Sequence, residues 1–145
     1  MRTKIEVKEI QRTETITETI YVAFDGTEFD KENDCFDYEA EQVLKRDDII
    51  VFDSLGDCSP CFFDDYSDYH YIWIKPTTKE ACELIEEYYS GDYGLTPIHV
   101  NHFYGIVINL DNEPWIIEVK NIMHDIKTFF AGMNIEVTFN EKGDK

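Results

Sequence analysis

Negative charge most restricts how this chain can fold, because it is concentrated rather than spread. Residues 1–24 balance four acids against four bases, residues 25–68 carry a net −12, and residues 69–145 a net −6. Carboxylates without partners stay in water, so the 25–68 segment has to line the surface and turn only narrow apolar stripes inward. A surface this acidic repels phosphate backbones and anionic lipid. That excludes direct nucleic-acid binding, and membrane-surface binding, through a basic patch.

The remaining composition permits an ordinary core. The 145 residues suit a single domain, and 43% hydrophobic with 14% aromatic residues supply the apolar material for it. No stretch approaches the roughly 18 consecutive apolar residues of a spanning helix. The first residues, Met1 to Lys8, lack the apolar region of a secretory signal. Four scattered cysteines are too few for a disulfide scaffold. The expected compartment is the cytoplasm, with reduced thiols.

Within residues 1–24, Ile5 and Val7 alternate with charged residues, and 15–24 is rich in Thr, Ile, Tyr and Val, as strands prefer. Asp25-Gly26 supplies a tight turn, with a short return strand through Phe29. Asp30 is expected to cap a helix whose apolar stripe is Phe36, Ala40, Val43 and Leu44 and whose other face carries Asp34, Asp37 and Glu41. Residues 49–52 form a short buried strand, followed by an aspartate-rich loop with Gly56 and Pro60. Over 69–140 a β-α-β-α-β order is expected, with 141–145 a tail. Residues 69–75 are a strand, Thr77-Thr-Lys-Glu80 a capping box, and Ala81, Leu84, Ile85 and Tyr88 a helical stripe closed by Gly91. Residues 103–110 are a strand. Ile116, Val119, Met123, Ile126 and Phe130 then fall at helical spacing up to Gly132, although 115–119 also reads as a return strand. Residues 134–139 read as a last strand. The fold class is α+β: one mixed or antiparallel sheet of five or six strands with about three helices.

Cys58-Ser-Pro-Cys61 is the sharpest local motif. A thioredoxin-type redox site would need a long helix starting there and a lowered thiol pKa, and the acidic residues that follow oppose both. Zinc is the alternative, with His99 and His102 completing a set with Cys58 and Cys61. If 99–102 is extended, however, the two imidazoles point to opposite faces. Free loop thiols are therefore preferred, and no cofactor is expected. Cys35 and Cys82 lie on apolar stripes and read as small core hydrophobes. Acid pairs such as Asp47-Asp48, Asp64-Asp65 and Glu86-Glu87 are too abundant for any one to mark a general acid/base couple. No phosphate loop, nucleophile elbow or zinc-protease helix is present.

Residues 62–73 interleave aromatics, among them Tyr66, Tyr69 and Trp73, with Asp64, Asp65 and Asp68. Desolvated aromatic anchors ringed by carboxylates suit a basic partner, and the same aromatics suit a core. Tyr21-Val-Ala-Phe-Asp-Gly-Thr-Glu-Phe29, continued by Cys35-Phe-Asp-Tyr-Glu39, resembles a hairpin-then-helix segment of small uncharacterised proteins from bacteriophages and mobile elements of Gram-positive bacteria. The resemblance covers about twenty residues and implies a phage or mobile-element origin, with no activity attached.

The leading expectation is a non-enzymatic acidic binding protein, an inhibitor of a basic host protein that binds nucleic acid. It would act through Asp34, Asp37, Glu41, Asp57, Asp64, Asp65, Tyr66, Asp68 and Tyr69 as a phosphate-mimicking surface. The alternatives are a site that sequesters a nucleotide-like ligand or performs metal-dependent hydrolysis, and a phage assembly subunit whose partner is itself, as a homodimer for example.

Overall fold

The computed structural model describes residues 1–9, 15–56, 58, 69–90, 97–109 and 112–142. The chain divides into two compact units, Met1–Arg46 and Asp47–Lys145.

In the first unit, β1 (Arg2–Glu9) and β2 (Thr15–Val22) form an antiparallel ribbon, and β3 (Glu28–Phe29) pairs on the other side of β2. The Asp25-Gly26 turn joins β2 to β3 as expected. Gly26 takes φ 93°, open to glycine without strain, and the Asp25 carboxylate accepts the Thr27 amide at 3.0 Å. Helix α1 (Glu32–Val43) packs on β2 and β3 and buries Cys35, Glu39, Ala40 and Val43. Asp30 does not cap it. Lys31 occupies the N-cap position without a side-chain bond, and Glu32 and Asp34 in the first turn complement the helix dipole instead.

The second unit is built on a four-stranded antiparallel sheet in the order β4-β5-β6-β7: Ile49–Val51, His70–Pro76, Tyr104–Asn109 and Asn112–Glu118. Helix α2 (Lys79–Tyr89) follows β5, and α3 (Val119–Ala131) follows β7. Register sends Tyr71, Trp73, Val107 and Trp115 to one face, where they meet Ile122 and Ile126 of α3. Tyr104 points to the other face, toward Cys82 and Glu86 of α2. At Gly105, directly across from Trp73, a Cβ would lie 2.6 Å from the indole. The glycine is the space into which the tryptophan fits.

Four local expectations are corrected. The fold is α+β with three helices, but its described strands number seven in two antiparallel sheets, not five or six in one. Residues 112–118 are strand, and the helix starts only at Val119. Pro114 disfavours helix at the residue before it and is tolerated because β7 is an edge strand. Residues 134–139 form no strand: α3 ends in a Schellman pair, Ile135 N–H to Phe130 O at 2.9 Å and Asn134 N–H to Ala131 O at 2.9 Å, with Asn134 at φ 60°. Finally, the α2 cap is Thr78 rather than Thr77. Its hydroxyl accepts the Ala81 amide at 3.1 Å and donates to Asp48 at 2.6 Å, while Thr77 bonds the Asp48 carbonyl. Gly91 lies outside the described residues.

Candidate functional site

Helix periodicity turns the acids of α1 into a surface. Because Cys35, Glu39, Ala40 and Val43 face inward, Asp34, Asp37 and Glu41 share the outward face at i, i+3 and i+7, and all three are exposed. They span about 10 Å of helix axis. Phe36, on the same helix, is 37% exposed and adds an apolar edge to the carboxylates. Helix α2 repeats the spacing. Ala81, Cys82, Ile85, Tyr88 and Tyr89 are buried, and Glu80, Glu83 and Glu87 are exposed. This second stripe escaped the sequence reading, which saw only an uninformative acid pair at Glu86-Glu87. The signal was present: the three acids sit opposite the apolar stripe at helical spacing. Glu86 itself does structural work, accepting the Ile98 amide at 2.8 Å.

One carboxylate on α1 faces the other way. Glu39 is fully buried, where its Oε2 accepts the Phe24 amide at 3.1 Å and lies 3.3 Å from the Met1 amino group. Among the described residues its Oε1 has no hydrogen-bond partner. Its reach to the Phe24 backbone makes it a tie between helix and turn rather than part of the exposed stripe. A second tie is polar and exposed. The Tyr38 hydroxyl donates to Asp25 at 2.5 Å, and this bond, followed by the Thr27 amide, holds the Asp25 carboxyl below the usual aspartate range.

Of the remaining partner candidates, Asp57, Asp64, Asp65, Tyr66 and Asp68 lie outside the described residues. Tyr69 is half-buried and meets Trp115 edge-to-face at 5.5 Å, beside the Tyr71, Trp73, Val107 and Ile122 cluster. Trp73 is buried too, its Nε1–H donating to the Cys58 carbonyl at 3.0 Å. Trp73 serves the core, and Tyr69 packs against its margin with part of the ring left accessible.

For the metal candidates, Cys61 lies outside the described residues. Residues 99–102 are not extended. His102 N–H bonds the His99 carbonyl at 3.3 Å and Asn101 takes φ 65°, so the chain turns and brings the two imidazoles to 5.3 Å between ring centres. Cys58 instead lines an apolar cavity, and among the described residues no three His, Cys, Asp or Glu side chains converge on a point. The cysteines differ in environment. Cys58 is exposed, while Cys35 and Cys82 are buried. Burial, and secondarily Glu39 for Cys35 and Glu86 for Cys82, pushes both buried thiols upward in pKa.

That cavity, of about 430 Å³, was not legible in the sequence. It is walled by Phe52, Leu55, Cys58, Trp73, Ile74, Phe103, Tyr104, Val119 and Ile122. Its residues come from four separate stretches that only the tertiary fold collects. Tyr104, one of its walls, is fully buried, and its hydroxyl accepts the His99 amide at 2.8 Å.

Comparison with protein-family models finds no match, and comparisons with curated proteins and with solved structures find none either.

Proposed function

We propose that this chain is a non-enzymatic acidic binding protein that offers carboxylate-bearing helix faces to a basic protein partner. The partner is a host protein whose own groove binds nucleic acid, and the chain acts as its inhibitor, in keeping with the resemblance of residues 21–39 to phage and mobile-element proteins. The observation that carries this reading is the exposed Asp34, Asp37, Glu41 stripe on α1. Its support is the repeat of that spacing on α2 and a net charge of −18. Carboxylates held in a row by a helix do not have to be ordered on binding, so they stand in for phosphates at low entropic cost. The long-range field speeds encounter with a basic groove.

The test is capture of a basic protein from a Gram-positive host at low salt, followed by affinity measurement on the purified pair. Affinity should fall as salt rises, and duplex DNA should compete with the chain for the partner. Replacing Asp34, Asp37 and Glu41 together by their amides should weaken the complex about tenfold, three exposed pairs at about 0.5 kcal/mol each. A complex indifferent to salt and to DNA overturns the proposal.

A second reading is favoured by the apolar cavity of the Asp47–Lys145 unit. A small uncharged aromatic or aliphatic ligand fits its lining, whereas a nucleotide would find no lysine or arginine among those residues to hold its phosphates. Native mass spectrometry of protein purified from such a host separates the two. A retained organic mass supports ligand sequestration, and the bare polypeptide mass counts against it.

A further inference from the structure

The β1–β2 ribbon has an edge and a face that nothing among the described residues covers. Among the described residues β1 is the outer strand of its sheet and pairs only with β2. Along it, Ile5 and Val7 are 65% and 64% exposed. Register aligns Ile5 with Thr19 and Val7 with Thr17, so between positions 3 and 7 this side of the ribbon is uncharged, aliphatic and hydroxyl-bearing, with Glu9 following at its end. An unpaired edge strand of this length invites strand addition.

Charge decides what can add. Each copy of the chain carries −18, yet residues 1–24 are net neutral. The ribbon is therefore the region where two copies can approach with least repulsion.

We infer that β1 pairs antiparallel with β1 of a second copy, about a two-fold axis at Ile5, joining two three-stranded sheets into one of six strands.

Strand geometry narrows the register. Only residues of like parity can face each other across an antiparallel ladder, because alternate residues direct their hydrogen-bonding groups to the same edge. The central choices are therefore Lys4 on Lys4, Ile5 on Ile5, or Glu6 on Glu6. The first and last set like charges together on the axis. The middle choice sets Ile5 against Ile5 and Thr3 against Val7 on the uncharged side. On the other side it sets Lys4 against Glu6 twice, once on each side of the axis. Lys4 and Glu6 share one side of the strand, 3.6 Å apart within a copy, and the Lys4 ammonium also pairs with Glu28 of β3 in the same copy, a pair that Glu6 of the second copy has to share. Opposite charges directly across a ladder are favourable, and like charges are not. At the two ends of the pairing Arg2 falls against Lys8, a like-charge pair that confines the favourable match to the central positions 3–7.

The salt response distinguishes this contact from the partner binding proposed above. Added salt screens repulsion between two copies of −18, so self-association should strengthen with salt where capture of a basic partner weakens. Failure of one therefore leaves the other standing. Sedimentation velocity across a range of protein and salt concentrations should show a dimer whose fraction rises with both. Glu6→Lys should weaken it, and Lys4→Glu with Glu6→Lys in the same chain should restore it. Position is read by oxidation in a Cys58→Ser, Cys61→Ser background. Ile5→Cys should form a linked dimer, because facing Cα atoms lie about 4.5–5.5 Å apart, within disulfide reach. Val7→Cys should not link to itself, its copies being about 14 Å apart along the strands, but should link to Thr3→Cys in a mixture. A chain that stays monomeric throughout, or one that links at position 7 as readily as at position 5, overturns the inference.

Discussion

Gly105 and Glu39 show how single residues hold each unit together. A methyl at Gly105 has nowhere to go, since the Trp73 ring lies 2.6 Å and the Ile117 side chain 3.0 Å from its position. Gly105→Ala should therefore destabilise the Asp47–Lys145 unit by about 1–3 kcal/mol through overpacking, read as a lower urea midpoint. The reasoning for Glu39 is the reverse. Truncation to alanine removes the acceptor of the part-buried Phe24 amide and empties a fully buried side-chain site, at a cost of about 1–3 kcal/mol. Glu39→Gln keeps an acceptor oxygen and should cost less, so the order of the two variants in denaturant checks the assignment. The thiols give a third check at this scale. A short alkylation pulse on the native protein should modify Cys58, while Cys35 and Cys82, buried and pushed toward the protonated form, should react only on unfolding. Mapping by mass spectrometry reads this directly, and native labelling of Cys82 would contradict its burial on the inward face of α2.

Element ends carry the next set of forces. Thr78→Ala removes both the Ala81 cap and the bond to Asp48, and should lower stability by about 1 kcal/mol. Thr77→Ala leaves the Ala81 cap in place and should cost less. At the end of α3, Asn134→Gly should be tolerated and Asn134→Val should lose about 1 kcal/mol or more, because φ 60° is closed to a β-branched residue. The β2–β3 turn responds to pH. Its Asp25 carboxyl is held low by the Tyr38 hydroxyl, then by Thr27. A carboxyl whose folded pKa lies below its unfolded value contributes stability above the unfolded value, about 4. That contribution is lost as pH falls through the lowered folded value. Tyr38→Phe should move the Asp25 titration back up toward about 4, followed by NMR on the Asp25 side chain. A titration that does not move would mean the hydroxyl is not the main donor.

For the molecule as a whole, charge and pattern divided the work with tertiary packing. The net −18, the acidic 25–68 segment and the outward Asp34, Asp37 and Glu41 were all legible in the chain, because charge is additive and a carboxylate without a partner belongs in water. The Asp25-Gly26 turn and α2 were legible for a similar reason: a local steric rule or a single periodicity decides them within a few residues. Local signals misled where two of them overlapped. Residues 116–118 satisfy a helical stripe and a strand composition together, and pairing with β6 chose the strand there, through hydrogen bonds to residues that no local window contains, while Val119 begins the helix. The capping box failed by one residue because Asp48, thirty positions away from Thr78, fixes which threonine caps. Residues 134–139 have strand composition but gain no ladder partner among the described residues, and composition without a partner makes no sheet. The same reason separates the candidate sites. A row of acids on one helix is a property of sequence spacing. The turn that brings His99 to His102, where Asn101 N–H bonds the Pro76 carbonyl, the burial of Trp73 in the core, and the cavity between Phe52, Phe103 and Ile122 all depend on contacts between distant segments, which only the closed fold decides.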